Sequence, residues 1–155
     1  MNKDSKKMYC TVPEIPERVF GPEVSIERAS LIRNISKKWV NGTILHYYFF
    51  EKAPWKGDEK HKKIVREAFD KWKKTGIGIE FKEVSSPDDA EIRIGFGIGE
   101  GSWSYVGRDI LNRGLQECTM NFGWNLVHDP EGIDTAIHEI GHTLGFPHEH
   151  QNPNA

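Results

Sequence analysis

Three histidines near the end of the chain have a spacing that suits a single metal ion. His138 and His142 are four residues apart, so on a helix they share one face and can reach the same ion. Gly145 allows the chain to leave the helix in a left-handed conformation, which can bring His148 back to that ion. Three neutral nitrogen ligands leave the fourth position of a tetrahedral Zn²⁺ site for water. The spacing therefore predicts a catalytic zinc site rather than a closed structural one.

Glu139 directly follows the first of these histidines, where it can contact a zinc-bound water without being a ligand. Zinc lowers the pKa of such a water towards about 7 and polarises a peptide carbonyl. Glu139 would accept the proton of the water and pass it to the leaving amine. We therefore predict a zinc-dependent endopeptidase with Glu139 as general base. The alternative is a non-catalytic zinc- or peptide-binding fragment, although a structural site has no need of a base at this position.

The composition excludes several other classes of function. The 155 residues carry a net charge of −2, with 37% hydrophobic and 28% charged residues, as expected for one soluble globular domain. We expect no nucleic-acid partner, because no basic face is indicated. We expect no membrane partner, because no apolar run approaches the roughly 18 residues of a membrane span. A glycine-rich run lacks the spacing of a dinucleotide site and precedes a strand-like segment; it comprises Gly95, Gly97, Gly99 and Gly101.

Two helices and about five strands are predicted from the spacing of apolar residues. Asp58 can cap the start of the first helix and Gly76 can close it, whereas the second helix starts near Asp129 and ends at Gly145. The order of strand, helix, four strands and helix indicates an α/β (α+β) fold with a mixed twisted sheet. The predicted strands lie at residues 43–50, 77–81, 90–96, 102–106 and 115–122.

Residues 1–38 are predicted to form an N-terminal arm or pro-like segment that precedes a catalytic domain at residues 39–155. Prolines favour an extended arm that can lie along a cleft. The arm carries Cys10, and the sequence allows three states for it. Its thiolate can occupy the open zinc position and keep the enzyme latent, it can form a disulfide with Cys118, or it can be free.

The zinc motif and the order of elements resemble the N-terminal subdomain of metzincin zinc endopeptidases. The chain looks most like the astacin family, because Glu149 follows the third histidine, the segment Gly101–Arg108 reads GSWSYVGR, and Trp39–Ile44 is similar to the start of an astacin catalytic domain. The resemblance implies bound Zn²⁺, a peptide or protein substrate and a secreted enzyme. The sequence has no signal peptide, and it leaves the compartment and the oligomeric state open.

The chain departs from the astacin pattern after the third histidine. Astacins have a Met-turn and a nearby tyrosine downstream of it, whereas all three methionines here lie upstream. From this departure we expect the chain to be a piece of a longer protease, truncated after His148. Such a piece would lack much of the specificity pocket.

Overall fold

The computed structural model describes residues 10–13, 15, 19, 21–29 and 37–146. Within the described residues, six strands and two long helices form one α/β unit, together with a helical turn at residues 26–29 and two short 3-10 segments at Pro87–Asp89 and Gly107–Asn112. In chain order the elements are β1 (Cys10–Thr11), β2 (Ile44–Phe49), α1 (Glu59–Lys74), β3 (Glu80–Glu83), β4 (Ile92–Gly95), β5 (Ser102–Ser104), β6 (Met120–Asn121) and α2 (Gly132–Thr143).

The strands form one mixed sheet in the order β1-β5-β6-β4-β2-β3. Neighbouring strands are parallel, except for β5 and β6, which are antiparallel. The predicted α/β class with a mixed sheet is confirmed, and the sixth strand is β1 from the N-terminal arm. That strand lies at the edge of the sheet beside β5, so Cys10 and Thr11 belong to the same sheet as the strands that follow.

The core lies between the sheet and the two helices. Leu45, Tyr47 and Phe49 alternate along β2 and are buried on the helix side, as the period of a strand requires. From α1, Val65 and Phe69 enter the same cluster, and the rings of Phe69 and Tyr47 stack with centroids 4.2 Å apart. This cluster holds α1 against the sheet.

Both ends of α1 and the C-terminal end of α2 agree with the signals in the sequence, whereas α2 begins at Gly132 rather than near Asp129. The Asp58 side chain accepts a hydrogen bond from the His61 amide at 2.9 Å and so caps α1. Gly76 follows α1 and Gly145 follows α2, and both have positive φ angles, 75° and 108°. Between the helices, the Trp72 indole donates a hydrogen bond to the Ile137 carbonyl at 2.8 Å, so α1 braces α2.

Two predicted strands differ from those in the structure: the strand predicted at residues 77–81 lies at Glu80–Glu83, and the strand predicted at residues 115–122 is shorter. The apolar alternation at residues 115–122 yields only β6, because the preceding segment forms loops around the buried Arg93 guanidinium. This group donates hydrogen bonds to the carbonyls of Ala90 and Glu117, at 2.8 and 3.0 Å. Among the described residues, no helix has the length and apolar character to span a membrane.

Candidate metal centre and active site

Helix α2 brings the two helical histidines of the motif together. The Nε2 atoms of His138 and His142 lie 3.1 Å apart. The other ring nitrogen of His142, Nδ1, is 2.6 Å from the Phe146 carbonyl oxygen, which can only accept a hydrogen bond. Nδ1 therefore carries the proton, and Nε2 carries the lone pair that can bind a metal ion. The positive φ of Gly145 turns the chain so that Phe146 can make this contact.

Cys10 of the arm completes a group of three ligand atoms. Its Sγ lies 3.5 Å from His142 Nε2, and Sγ and the two histidine nitrogens are all within 4.8 Å of one another. In tetrahedral coordination with Zn–N of about 2.0–2.1 Å and Zn–S of about 2.3 Å, two nitrogens are about 3.3 Å apart and a nitrogen and a sulfur about 3.6 Å apart. The observed separations fit a zinc ion held by His138, His142 and Cys10. The predicted ligand His148 lies outside the described residues.

Glu139 is fully buried beside these ligands. Burial raises the pKa of Glu139 to about 8, and the neighbouring Cys10 thiol acts in the opposite direction. The thiol does not reach hydrogen-bond geometry, and neither carboxylate oxygen has a partner in the described part of the chain. A buried acceptor without a partner is unusual in a folded protein and indicates a missing donor. Its place next to the ligand group suits a water activated at the metal.

The environment of Cys10 shows what a bound metal would change. Burial is the main cause of the raised pKa of this thiol, and the negative charge of Glu139 adds to it. Without a metal ion the thiol is therefore neutral. Coordination to zinc deprotonates a thiol, since the charge of the ion outweighs both effects.

Cys118 lies at a different place in the fold from Cys10. It is buried against β4, where its Sγ would be 2.6 Å from a Cβ atom added at Gly95. Both cysteines are free thiols, so the predicted alternative of a Cys10–Cys118 disulfide is not formed in this structure.

The arm reaches the metal-ligand group along the edge of the sheet. Strand β1 is parallel to β5, with Cys10 opposite Ser102 and Thr11 opposite Trp103. The side chains of Ser102 and Ser104 are buried, whereas Trp103 between them is partly exposed. The arm thus covers the backbone edge of β5 and places Cys10 at the histidines through one continuous segment.

Asn121 is a site residue that the sequence analysis missed. Its side chain is fully buried in β6 and holds the glycine-rich run before β5. Oδ1 accepts a hydrogen bond from the Gly97 amide at 2.7 Å, and Nδ2 donates to the Gly101 carbonyl at 2.8 Å. The role of the glycines is therefore to allow a close turn that sets the start of the edge strand. One asparagine in a short apolar run carries no local signal of this role.

A His-Glu-x-x-His helix packed against a mixed sheet is common to several classes of zinc peptidase, and the extension of the motif to Gly145 and His148 is typical of the metzincins. The model of the Astacin peptidase family matches residues 31–155. The chain therefore belongs to the astacin family, as the motif, Glu149 and the GSWSYVGR segment predicted.

Individual relatives agree with the family assignment. Protein SpAN of Strongylocentrotus purpuratus is 30% identical over 95 residues, which cover 59% of this chain and 14% of that protein. Zinc metalloproteinase nas-30 of Caenorhabditis elegans is 35% identical over 98 residues, which cover 63% of this chain and 12% of that protein. The solved structure of myroilysin is 35% identical, with a TM-score of 0.66 over 75% of this chain and 54% of that chain. The chain thus spans a small part of the curated relatives and about half of myroilysin.

Proposed function

We propose that this protein is a zinc-dependent endopeptidase with Glu139 as its general base. The observation that carries the proposal is the fully buried, unpartnered carboxylate of Glu139 beside histidine nitrogens at zinc-ligand separation. A bound zinc ion supplies a polarised peptide carbonyl and a water of lowered pKa. Glu139 accepts the proton of the attacking water and then donates it to the leaving amine. The non-catalytic alternative gives no reason for a buried acceptor at this position.

The substrate of this enzyme is a peptide or protein that binds in extended form along β5. In the structure the edge of β5 is paired with β1, so its backbone groups are oriented to receive a strand. Recognition of an extended peptide by a sheet edge depends on backbone hydrogen bonds, which every sequence can supply. Membership in the astacin family supports secretion of the protein.

The position of the arm corresponds to a latent form of the enzyme in which Cys10 would be a zinc ligand. His148 would be the third histidine ligand, and the three histidines together with Cys10 would supply four ligands, which would leave no position for water. Two contacts support this state: the 3.5 Å separation of Cys10 Sγ from His142 Nε2 and the pairing of β1 with β5. The same segment that provides the thiol also covers the peptide-binding edge, so its departure would open both together.

The arm ends and the catalytic domain begins close to Trp39. The Trp39 indole donates a hydrogen bond to the Thr143 carbonyl at 2.8 Å, at the end of α2. Two residues earlier, the Lys37 carbonyl accepts from the Arg108 amide at 2.8 Å and the Lys37 ammonium lies 3.2 Å from Asp109. These contacts support a division at residues 37–39, in which residues beyond this point stay with the domain when the arm leaves.

Peptide hydrolysis after removal of the thiol tests the proposed function. Zinc-loaded Cys10→Ala protein should cleave an internally quenched peptide, and removal of zinc by a chelator should abolish this activity until zinc is returned. Cys118→Ala is the matched control, because it removes the other thiol, which is buried away from the ligands. This control should remain as latent as the parent protein. Lack of hydrolysis by zinc-replete Cys10→Ala protein, or chelator-resistant hydrolysis, would count against the proposal.

A further inference from the structure

A buried pair of hydroxyl groups joins the edge strand to the metal-binding helix. Ser104 is the last residue of β5 and Thr143 is the last residue of α2. Both residues are fully buried, and Ser104 Oγ lies 2.9 Å from Thr143 Oγ1. The pair is the side-chain hydrogen bond that links the strand beside the arm to the helix of His138, Glu139 and His142.

The direction of the hydrogen bond follows from a count of protons. Ser104 Oγ also lies 2.8 Å from the Tyr105 carbonyl oxygen, which can only accept, so the Ser104 proton is used there. A serine hydroxyl has one proton, and Thr143 must therefore be the donor to Ser104. The Tyr105 amide in turn donates to the Thr119 carbonyl of the neighbouring chain segment at 3.1 Å. One chain of hydrogen bonds thus connects Thr143, Ser104 and the backbone of Tyr105.

The helix face that makes this bond is also the face of the general base. Thr143 follows Glu139 by four residues, so the two side chains lie on one side of α2. Because Thr143 contacts β5, Glu139 is on the side of the helix that faces this strand. A peptide on β5 takes its position from the strand, whereas Glu139 and the histidines take theirs from the helix. The hydroxyl pair links the strand to the helix and so affects the distance between a bound peptide and Glu139.

We propose that Ser104 and Thr143 are positioning residues that align a β5-bound peptide with Glu139 and the metal ligands. The inference rests on the proposed function and adds two residues to it, neither of which touches the reacting atoms. Loss of the pair leaves the hydrophobic contacts between α2 and the sheet in place, so the fold persists. It removes the polar contact that sets the offset of strand and helix. Misplacement of a substrate by about 1 Å can lower a rate about 100-fold.

A double-mutant cycle on the zinc-loaded Cys10→Ala protein tests the pair. Thr143→Val removes the donor with little change of shape, and Ser104→Ala removes the acceptor. Each should lower kcat about 10- to 100-fold, and the double variant should fall no further, because both remove the same bond. Thr143→Ser restores the donor and should recover most of the loss. Thr119→Val is the matched control: it removes an equally buried hydroxyl, which bonds Arg93, and should lower the melting midpoint but not kcat.

Two inhibitors separate positioning from damage to the metal site without any need for turnover. A dipeptide hydroxamate engages both the strand edge and the zinc, whereas acetohydroxamate engages the zinc alone. Thr143→Val should weaken the dipeptide hydroxamate about tenfold or more and leave acetohydroxamate unchanged. Equal weakening of both inhibitors, or variants that lose thermal stability with unchanged kcat and unchanged hydroxamate affinities, would overturn the assignment. Failure of the Cys10→Ala parent to hydrolyse peptides would instead count against the proposed function. In that case the ratio of the two inhibitor affinities would still test the role of Ser104 and Thr143.

Discussion

Gly141 lies between the two helical histidines, and its replacement by alanine should reveal how tightly α1 braces α2. A Cβ atom added at Gly141 would be 3.2 Å from Cζ2 of Trp72, well inside the separation of about 3.5–4.0 Å that carbon atoms prefer. Trp72 cannot easily move away, because its indole donates a hydrogen bond to the Ile137 carbonyl at 2.8 Å. Its ring also stacks on the ring of Phe146, with centroids 5.7 Å apart.

Two opposing terms decide the sign of the effect of Gly141→Ala. Alanine in a helix interior is favoured over glycine by about 0.8–1.0 kcal/mol. Overpacking of a tight contact costs about 1–3 kcal/mol. We therefore expect a net loss of about 1 kcal/mol in the free energy of unfolding. In a Trp72→Phe background the distal indole atoms are gone, and the same substitution should instead stabilise the protein by about 1 kcal/mol.

Urea unfolding of the four zinc-free proteins measures both effects: the parent, each single variant and the double variant. The change of sign corresponds to a coupling of about 2 kcal/mol between the two positions, within the range of residues in contact. Thermal midpoints should follow by roughly 2–4 °C for each kcal/mol in a protein of this size. If Gly141→Ala stabilised the protein with Trp72 present, the close contact between the helices would be refuted.

Three further predictions concern the metal site, the cap of α1 and the loops around Arg93. Zinc X-ray absorption should show one zinc per chain with a sulfur at about 2.3 Å and nitrogens at about 2.0–2.1 Å, and Cys10→Ser should remove the sulfur. The pKa of Asp58 is lowered from its ordinary value of 3.8, mainly by the hydrogen bond from the His61 amide. The ionised cap should therefore stabilise the protein fully above pH 3.8, and this stabilisation should disappear as the pH falls through the lowered pKa. At low pH the urea midpoints of the Asp58→Ala variant and the parent protein should converge. Arg93→Met should cost about 3 kcal/mol in urea unfolding, because it leaves buried carbonyls without a charged donor.

The parts of the fold that the sequence could predict are those encoded over short distances. The caps of α1, the positive φ at Gly145 and the shared face of His138 and His142 depend on residues within about one helical turn. Strand β2 was predictable because residues 43–50 form a continuous apolar and aromatic run. These local signals were sufficient for the fold class and for the close approach of His138 and His142, which we propose as metal ligands.

Features that depend on pairing between distant segments were not predictable in the same way. The sequence suggested an extended arm, but neither its parallel pairing with β5 nor the register of Cys10 opposite Ser102 has a local signal. The roles of Asn121 and Thr143 likewise arise from partners about 20 and 39 residues away. At residues 115–122 the apolar residues suggested a longer strand. Residues 118–122 are all buried, but only Met120 and Asn121 form a strand, because strand length is set by backbone pairing.

The role of Glu139 as general base is the central claim, and one comparison tests it most directly. Peptide hydrolysis should be measured for Cys10→Ala and Cys10→Ala/Glu139→Gln proteins at equal, verified zinc content. Glutamine keeps the size of the side chain but cannot accept and return a proton, so kcat should fall at least about 10²- to 10⁴-fold while zinc stays bound. Near-equal turnover of the two zinc-replete proteins would contradict the assignment of Glu139 as the base.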